Sequence, residues 1–516
     1  MRRTRTARAL ALLTTALLGA TVAVAPPGAA VRAEDGPGVH SPAYVARDLQ
    51  NIADAYGRIT GPGGQLRDPA YLPALVQQAS ATSVTQLLAQ VASPTRLALT
   101  AGQVVPGWNV GNPLRAGWEG TRGRMRDVSF TNRYGALLRG TVYRPLPGAK
   151  DPYTGAPLRG PFPGVVVTPG SVQGSEGMYR WLAQDLAERG YVVLTYDVQG
   201  QGRSETLPHE PLPLPGDQVD ALPFCNPFAP PRDREALGCP GVPFQQVSNF
   251  IVGTEDAIDF FVSTPAKPYA NPGSAGTRPD AFNPFWRLFD RSPDRRTATP
   301  GRTTRLAIIG HSMGARAVSE VQGTDERVAT VVALDKLFAG KDGGTIPSVP
   351  VNETVPRVPA LAVQSEYGFT VAPYLLAAGS SLVPAPTPGG PDPRRERQAG
   401  YDRWAKSRHD AMLVVPRAST HLDYTDIPLV LPASRHGQAL TSVYVQRWLD
   451  RYLKHRGGPQ ALLKQSFRYL EPTAGNGRRA IRLQRDPLLS FYYCSAYDLG
   501  RGDDRRSDGD VTGVGC

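Results

Sequence analysis

Leu306-Ala307-Ile308-Ile309-Gly310-His311-Ser312-Met313-Gly314 is the stretch whose reading decides the fold. An apolar run of strand type enters Gly-x-Ser-x-Gly, and the following residues, Ala315 to Gln322, have helical character. A strand, a one-residue turn and a helix force the serine onto a sharp bend at the strand tip. The flanking glycines fit, because a side chain at either position clashes in so tight a bend. Ser312 is therefore the candidate nucleophile.

A serine hydroxyl is a poor nucleophile without a base to take its proton, and that base needs an orienting carboxylate. The stretch resembles the nucleophile turn of α/β-hydrolases, and that resemblance implies the chain order serine, acid, histidine. Of seven histidines, His40 and His209 lie upstream, and His311 sits inside the turn, where its geometry suits packing. His409, His436 and His455 fall before a late strand or at the ends of the last helix. His421 follows the strand Met412–Val415 by a short loop and precedes that helix, which is the position a base requires. Two residues qualify as the acid. Asp335 ends the strand Val328–Leu334, and Glu366 follows the strand Ala360–Val363.

The rest of the chain fits an α/β protein. Met125 to Asn132 and Ala136 to Arg144 alternate around Tyr134-Gly135 as a hairpin. Strands at Val165–Val167 and Tyr191–Tyr196 then alternate with helices at Met178–Arg189, at Thr254–Thr264 (capped by Thr254) and at Leu440–His455. This alternation predicts a mostly parallel central sheet with helices on both faces. Ahead of it, 42–92 reads as two helices broken at Gly61-Pro62-Gly63-Gly64, the first with Tyr44, Leu49, Ile52, Ala53 and Tyr56 on one face. Residues 459–516 read as a β-rich tail around Phe467–Leu470, Ile481–Leu483 and Phe491–Tyr493. The expected divisions are a leader at 1–33, a helical extension at 37–122, a catalytic domain at 123–458 and the C-terminal extension at 459–516. Pro-rich inserts at 205–250 and 370–400 either shape substrate access or decorate the surface.

The leader reading rests on Arg2, Arg3, Arg5 and Arg8 ahead of an apolar stretch, Ala9 to Ala25, with small residues after it. It predicts export, with Arg2-Arg3 leaving the twin-arginine route open. The core is short and Ala-rich for a permanent spanning helix. Four cysteines among 516 residues suit an oxidising compartment. Pairing Cys225 with Cys239 and Cys494 with Cys516 closes the two smallest loops, and neither pair has metal-ligand spacing. The formal charge of +12 falls to +8 once 1–30 is removed. That allows weak association with anionic surfaces, but arginine is dispersed and forms no nucleic-acid-type run. No metal or cofactor motif is present. Asp197-Val198-Gln199-Gly200-Gln201-Gly202-Arg203-Ser204 lacks the third glycine of a dinucleotide fingerprint, since Glu205 stands there.

Several runs carry a resemblance to known families. Ala333-Leu334-Asp335-Lys336, Gln364-Ser365-Glu366-Tyr367 and Ser419-Thr420-His421-Leu422-Asp423-Tyr424-Thr425-Asp426 together resemble platelet-activating-factor acetylhydrolase and its bacterial relatives, within the α/β-hydrolase superfamily. That resemblance covers roughly 125–455. It implies that Asp335, 23 residues after Ser312, is the acid rather than Glu366. Thr168-Pro169-Gly170-Ser171 is similar to the corresponding loop of secreted cutinases and actinobacterial lipases, where the residue after Pro-Gly donates its N–H. The oxyanion hole is then expected from the N–H groups of Ser171 and Met313. Asp197 to Ser204 is similar to a structural turn common in these hydrolases. Together the resemblances imply a serine esterase acting on short-acyl or lipid-like esters without a cofactor. An acyltransferase or peptidase with the same triad, or a non-catalytic ligand-binding scaffold, stays open.

Overall fold

A computed structural model describes residues 37–92, 111–171, 175–205, 247–293, 305–340, 353–377, 379, 386–426 and 434–516. The leader, the Cys225/Cys239 pair and most of the 205–250 insert lie outside these residues. Everything below concerns the unit from Arg32 to Cys516.

Among the described residues twelve strands run in chain order. They are β1 (Gly123–Thr131), β2 (Leu137–Pro145), β3 (Gly164–Thr168), β4 (Val192–Tyr196), β5 (Leu306–His311), β6 (Val328–Leu334), β7 (Ala360–Val363), β8 (Ala411–Val414), β9 (Ser466–Thr473), β10 (Gly477–Gln484), β11 (Ala496–Leu499) and β12 (Arg506–Asp508). Ten form one sheet in the order β1-β2-β4-β3-β5-β6-β7-β8-β11-β12. From β4 to β8 every neighbouring pair is parallel. β1, β2, β11 and β12 add antiparallel margins.

The main helices are α1 (Pro42–Thr60), α2 (Tyr71–Val91), α3 (Arg180–Glu188), α4 (Val247–Val262), α5 (Met313–Thr324) and α6 (Arg435–Tyr452). The parallel strands are apolar on both sides, as a sheet covered on both faces must be. Val166, Leu194, Ile308, Val331 and Ala362 face one way, into a core shared with Phe250, Ile258 and Phe261 of α4 and Val318 and Val321 of α5. Val165, Val167, Val193, Ile309 and Val332 face the other way, against Trp181 and Leu182 of α3 and Val443 and Trp448 of α6. This is the α/β-hydrolase arrangement. Its strand order reverses at β3, which lies between β4 and β5. Such a reversal opens a crevice beyond the carboxyl ends of the strands. The turns after β3 and β5 meet there.

The structure departs from the sequence reading at α1, at Thr254 and at Phe491–Tyr493. In α1 the buried stripe is Tyr44, Asp48, Asn51, Ala55 and Ile59, while Leu49 and Tyr56 are exposed. Two polar residues thus face inward, and their partners are distant in sequence. Thr254 is not a cap: α4 begins at Val247, and the Thr254 hydroxyl, deep in that helix, bonds the Phe250 carbonyl at 2.7 Å. Phe491–Tyr493 is no strand. Its tyrosines pack as a buried aromatic cluster, with the Tyr374 and Tyr492 rings 4.6 Å apart. The strand lies just beyond, where β11 joins the central sheet beside β8.

Cys494 and Cys516 are disulfide-bonded across 22 residues. This pins the last residue beside β11. Closing a loop of that size stabilises by about 3 kcal/mol in the chain-entropy account. Cys516→Ser should lower the unfolding free energy by about that amount in denaturant titrations; unchanged stability would contradict the assignment.

Candidate active site

β5 ends at His311 and α5 begins at Met313, so Ser312 alone makes the turn between them. Its backbone takes φ +56° and ψ −118°, a combination strained for any residue with a side chain. The two glycines make the bend possible. A Cβ at Gly310 would overlap the Gly314 carbonyl, and one at Gly314 would overlap the carbonyls of Thr168 and Pro169. Gly314 therefore also lets the loop after β3 lie directly on the turn. In that loop a Cβ at Gly170 would stand 3.1 Å from the Ser312 Cβ. Ser171 follows and is half-buried, and Met313 is the first residue of α5. At a helix N-terminus the first N–H groups have no intrahelical acceptor.

Asp335 stands at the tip of β6 with φ +43°. Its Oδ2 lies 2.7 Å from His421 Nδ1 and accepts the Ser365 hydroxyl at 2.6 Å. The Ser365 N–H donates to Oδ1 at 3.2 Å. Burial acts to raise the Asp335 pKa. The hydrogen bond and charge of His421, then Lys336 and the Ser365 hydroxyl, outweigh it, and the pKa falls from 3.8 to about 2. A carboxylate that is ionised at neutral pH only accepts, so His421 Nδ1 carries the proton. In the neutral ring Nε2 then keeps its lone pair.

Glu366, the other acid in the right part of the chain, is engaged elsewhere. Its buried carboxylate accepts from Asn51 Nδ2 of α1 at 2.5 Å, from Ser490 Oγ at 2.6 Å and from the Ala418 N–H at 2.6 Å. Burial pushes its pKa up, against the pull of those donors. One carboxylate thus ties the N-terminal helix and the C-terminal tail to the loop that carries His421. The same loop is held by Arg58 on the Arg417 carbonyl and by Arg417 to Asp54 at 2.6 Å. His421 then opens a one-turn 3-10 helix, His421–Tyr424, capped by Thr420 and Asp423. Burial lifts the Asp423 pKa to about 7, although the N–H groups of Ser434 and Thr420 and the Arg58 charge oppose the rise.

His311 does more than fill space. Its ring is 4.6 Å from the His421 ring, centroid to centroid, and its Nε2 meets the His421 carbonyl at 2.9 Å. Its Nδ1 meets the Tyr179 hydroxyl at 2.7 Å. That hydroxyl accepts the Gly170 N–H at 2.8 Å. A carbonyl only accepts, so Nε2 carries the hydrogen and Nδ1 takes one from Tyr179. Burial, and then the neighbouring His421, drive the His311 pKa well down, so the ring is neutral. A continuous chain of hydrogen bonds runs from the loop after β3, through the residue before Ser312, to the backbone of His421. Phe369 closes the other side of the His421 ring at 4.6 Å.

The sequence-derived residues stand after four strands: Ser171 after β3, Ser312 and Met313 after β5, Asp335 after β6 and His421 after β8. Of these, Asp335 and His421 are bonded directly, and the His421 ring lies against His311, the residue before Ser312. Ser365 and Tyr179 were missed. A hydroxyl directly before Glu366 is a usable hint for Ser365. Nothing local marks Tyr179, whose partner His311 is 132 residues away. Among the described residues, the cluster with metal-ligand spacing is Cys494, Asp510 and Cys516, and its two sulfurs are joined to each other.

Comparison with known proteins adds little. No family model matches the chain. An uncharacterized protein of Pseudomonas aeruginosa is 30% identical over 164 residues, which is 30% of this chain and 42% of that relative. The chain thus spans less than half the length of the curated relative it matches. A ferulic acid esterase from Streptomyces cinnamoneus is 19% identical at a TM-score of 0.35, over 66% of this chain and 92% of that structure. The fold rests instead on the strand order and on the turn at Ser312.

Two stability measurements follow from the acids. The folded pKa of Asp335 lies below its ordinary value. Its ionised form therefore stabilises the fold above about pH 4, and that contribution is lost as the pH falls towards about 2. The amount is roughly 2 kcal/mol. Urea titrations at stepped pH should show a flatter acid-side loss for Asp335→Asn than for the wild type; identical slopes would contradict the bond to His421. Glu366→Ala strands three buried donors and should lower the unfolding free energy by on the order of 3 kcal/mol; a change within error of zero would contradict the tether.

Proposed function

We propose that this chain is a secreted serine hydrolase that cleaves carboxylic esters through an acyl-enzyme. The observation that carries the reading is the 2.7 Å bond between Asp335 Oδ2 and His421 Nδ1, with the His421 ring against the residue that precedes Ser312. Ser312 Oγ attacks the ester carbonyl while His421 Nε2 takes its proton. Asp335 holds the ring in that tautomer and offsets the charge of the imidazolium. The carbonyl oxygen becomes an oxyanion, received by the N–H groups of Ser171 and Met313. Collapse of the tetrahedral intermediate expels the alcohol, protonated by His421. Water then enters by the same route in reverse and releases the acid.

The substrate class is a short-acyl or lipid-like ester, as the acetylhydrolase-type motifs around Asp335, Glu366 and His421 imply. Export through the leader at 1–33 agrees with a disulfide between Cys494 and Cys516, since such bonds persist in oxidising compartments. Among the described residues no helix is long and apolar enough to cross a membrane.

Purified wild type and variants, assayed on p-nitrophenyl esters of increasing acyl length, test this reading. Ser312→Ala, His421→Ala and Asp335→Asn should each lower kcat/KM by roughly 10³-fold or more. Turnover that survives Ser312→Ala would sink the proposal. A larger loss in Glu366→Gln than in Asp335→Asn would move the acid.

A further inference from the structure

The run Asp197 to Ser204 contributes no group to the triad, yet its polar groups are closely hydrogen-bonded. The Asp197 carboxylate accepts the N–H groups of Glu176 at 2.6 Å and Arg203 at 2.8 Å. The Ser204 hydroxyl donates to the Asp197 carbonyl and accepts the Arg139 N–H, which locks the turn to β2. Gly200 and Gly202 take positive φ, and a Cβ at Gly202 would overlap the Asp197 carboxylate. Between the two glycines stands Gln201, fully buried.

The Gln201 side chain reaches across to the loop after β3. Its Nε2 donates to the Gly170 carbonyl at 3.0 Å. The bond fixes more than one oxygen. The Gly170–Ser171 peptide is trans and planar, so its N–H points opposite to its C=O. Holding the Gly170 carbonyl towards Gln201 turns the Ser171 N–H the other way. The preceding peptide is held as well, because the Gly170 N–H is bonded to Tyr179. Gly170 is thus clamped on both sides, at a point where a Cβ would stand 3.1 Å from the Ser312 Cβ.

We infer that Gln201 and Tyr179 are positioning residues that orient the Ser171 N–H towards the oxyanion, and that the Asp197–Ser204 turn exists to present Gln201. The inference rests on the serine-hydrolase reading and adds to it a residue pair that never touches substrate. Such preorganisation acts on the transition state rather than on ground-state binding. The loss on removing it therefore falls on kcat.

Gln201→Met keeps the length and removes the donor; Tyr179→Phe removes the partner of the Gly170 N–H. Each is assayed on a p-nitrophenyl ester with active sites counted by titration with a fluorophosphonate, so unfolded enzyme drops out of the rate. The expected result is a kcat per titrated site lower by roughly 10- to 100-fold, with KM within about threefold. Affinity for an aryl trifluoromethyl ketone, whose adduct with Ser312 carries an oxyanion, should fall by a similar factor. A scaffold role would lower the titrated fraction and leave kcat per site and ketone affinity unchanged. That outcome in either variant overturns the inference while leaving the triad intact. If one variant yields no folded protein, the other decides. Wild type that neither hydrolyses the ester nor binds the ketone removes the underlying reading, and the inference falls with it.

Discussion

The bond from Asp335 Oδ2 to His421 Nδ1, 2.7 Å long, is the constraint around which the candidate site is arranged. Its two ends come from turns after β6 and β8, and the strand between them, β7, supplies Ser365 to the same carboxylate. Three adjacent parallel strands thus meet in one hydrogen-bonded knot. The geometry demands that the short loop from β8 to His421 hold a single conformation. Several polar groups of the outer segments serve that demand. Asn51, Ser490 and Ala418 converge on Glu366, and Arg58 and Arg417 hold the backbone just before His421. The outer segments therefore act on the site by holding a loop still.

The second constraint is close approach. The loop after β3 reaches Ser312 only because Gly314 and Gly170 have no side chains. Once there, it is held by side chains from two other elements, Tyr179 and Gln201. Strain at Ser312 and neutral His311 belong to the same unit. His311 takes a hydrogen from Tyr179 and gives one to the His421 carbonyl, so both sides of the site share one bonded frame. A buried, neutral histidine suits this task, since it donates at one nitrogen and accepts at the other.

The sequence made local features legible and left convergent ones hidden. Ser312 was readable because strand, glycine and helix signals sit within a few residues. The parallel core was readable because β3 to β8 are short apolar runs between helical patterns. The acid was not settled by the chain alone: Asp335 and Glu366 both follow sheet strands at the same end, and which one reaches His421 depends on the direction each side chain takes. The α1 face was misread because its buried stripe includes Asp48 and Asn51, whose partners Tyr492 and Glu366 lie more than 300 residues away. Gln201 sits in a run that reads as a turn, but its target is 31 residues upstream, in the loop after β3. Periodicity reports burial against a neighbour. It does not report which distant polar atom a buried amide will meet.

The most direct measurement is covalent. The folded protein should react with a fluorophosphonate at neutral pH, and mass spectrometry of its peptides should place the adduct on Ser312, with labelling lost on prior heat denaturation. An adduct on another serine, or none on folded protein, would contradict the account at its centre.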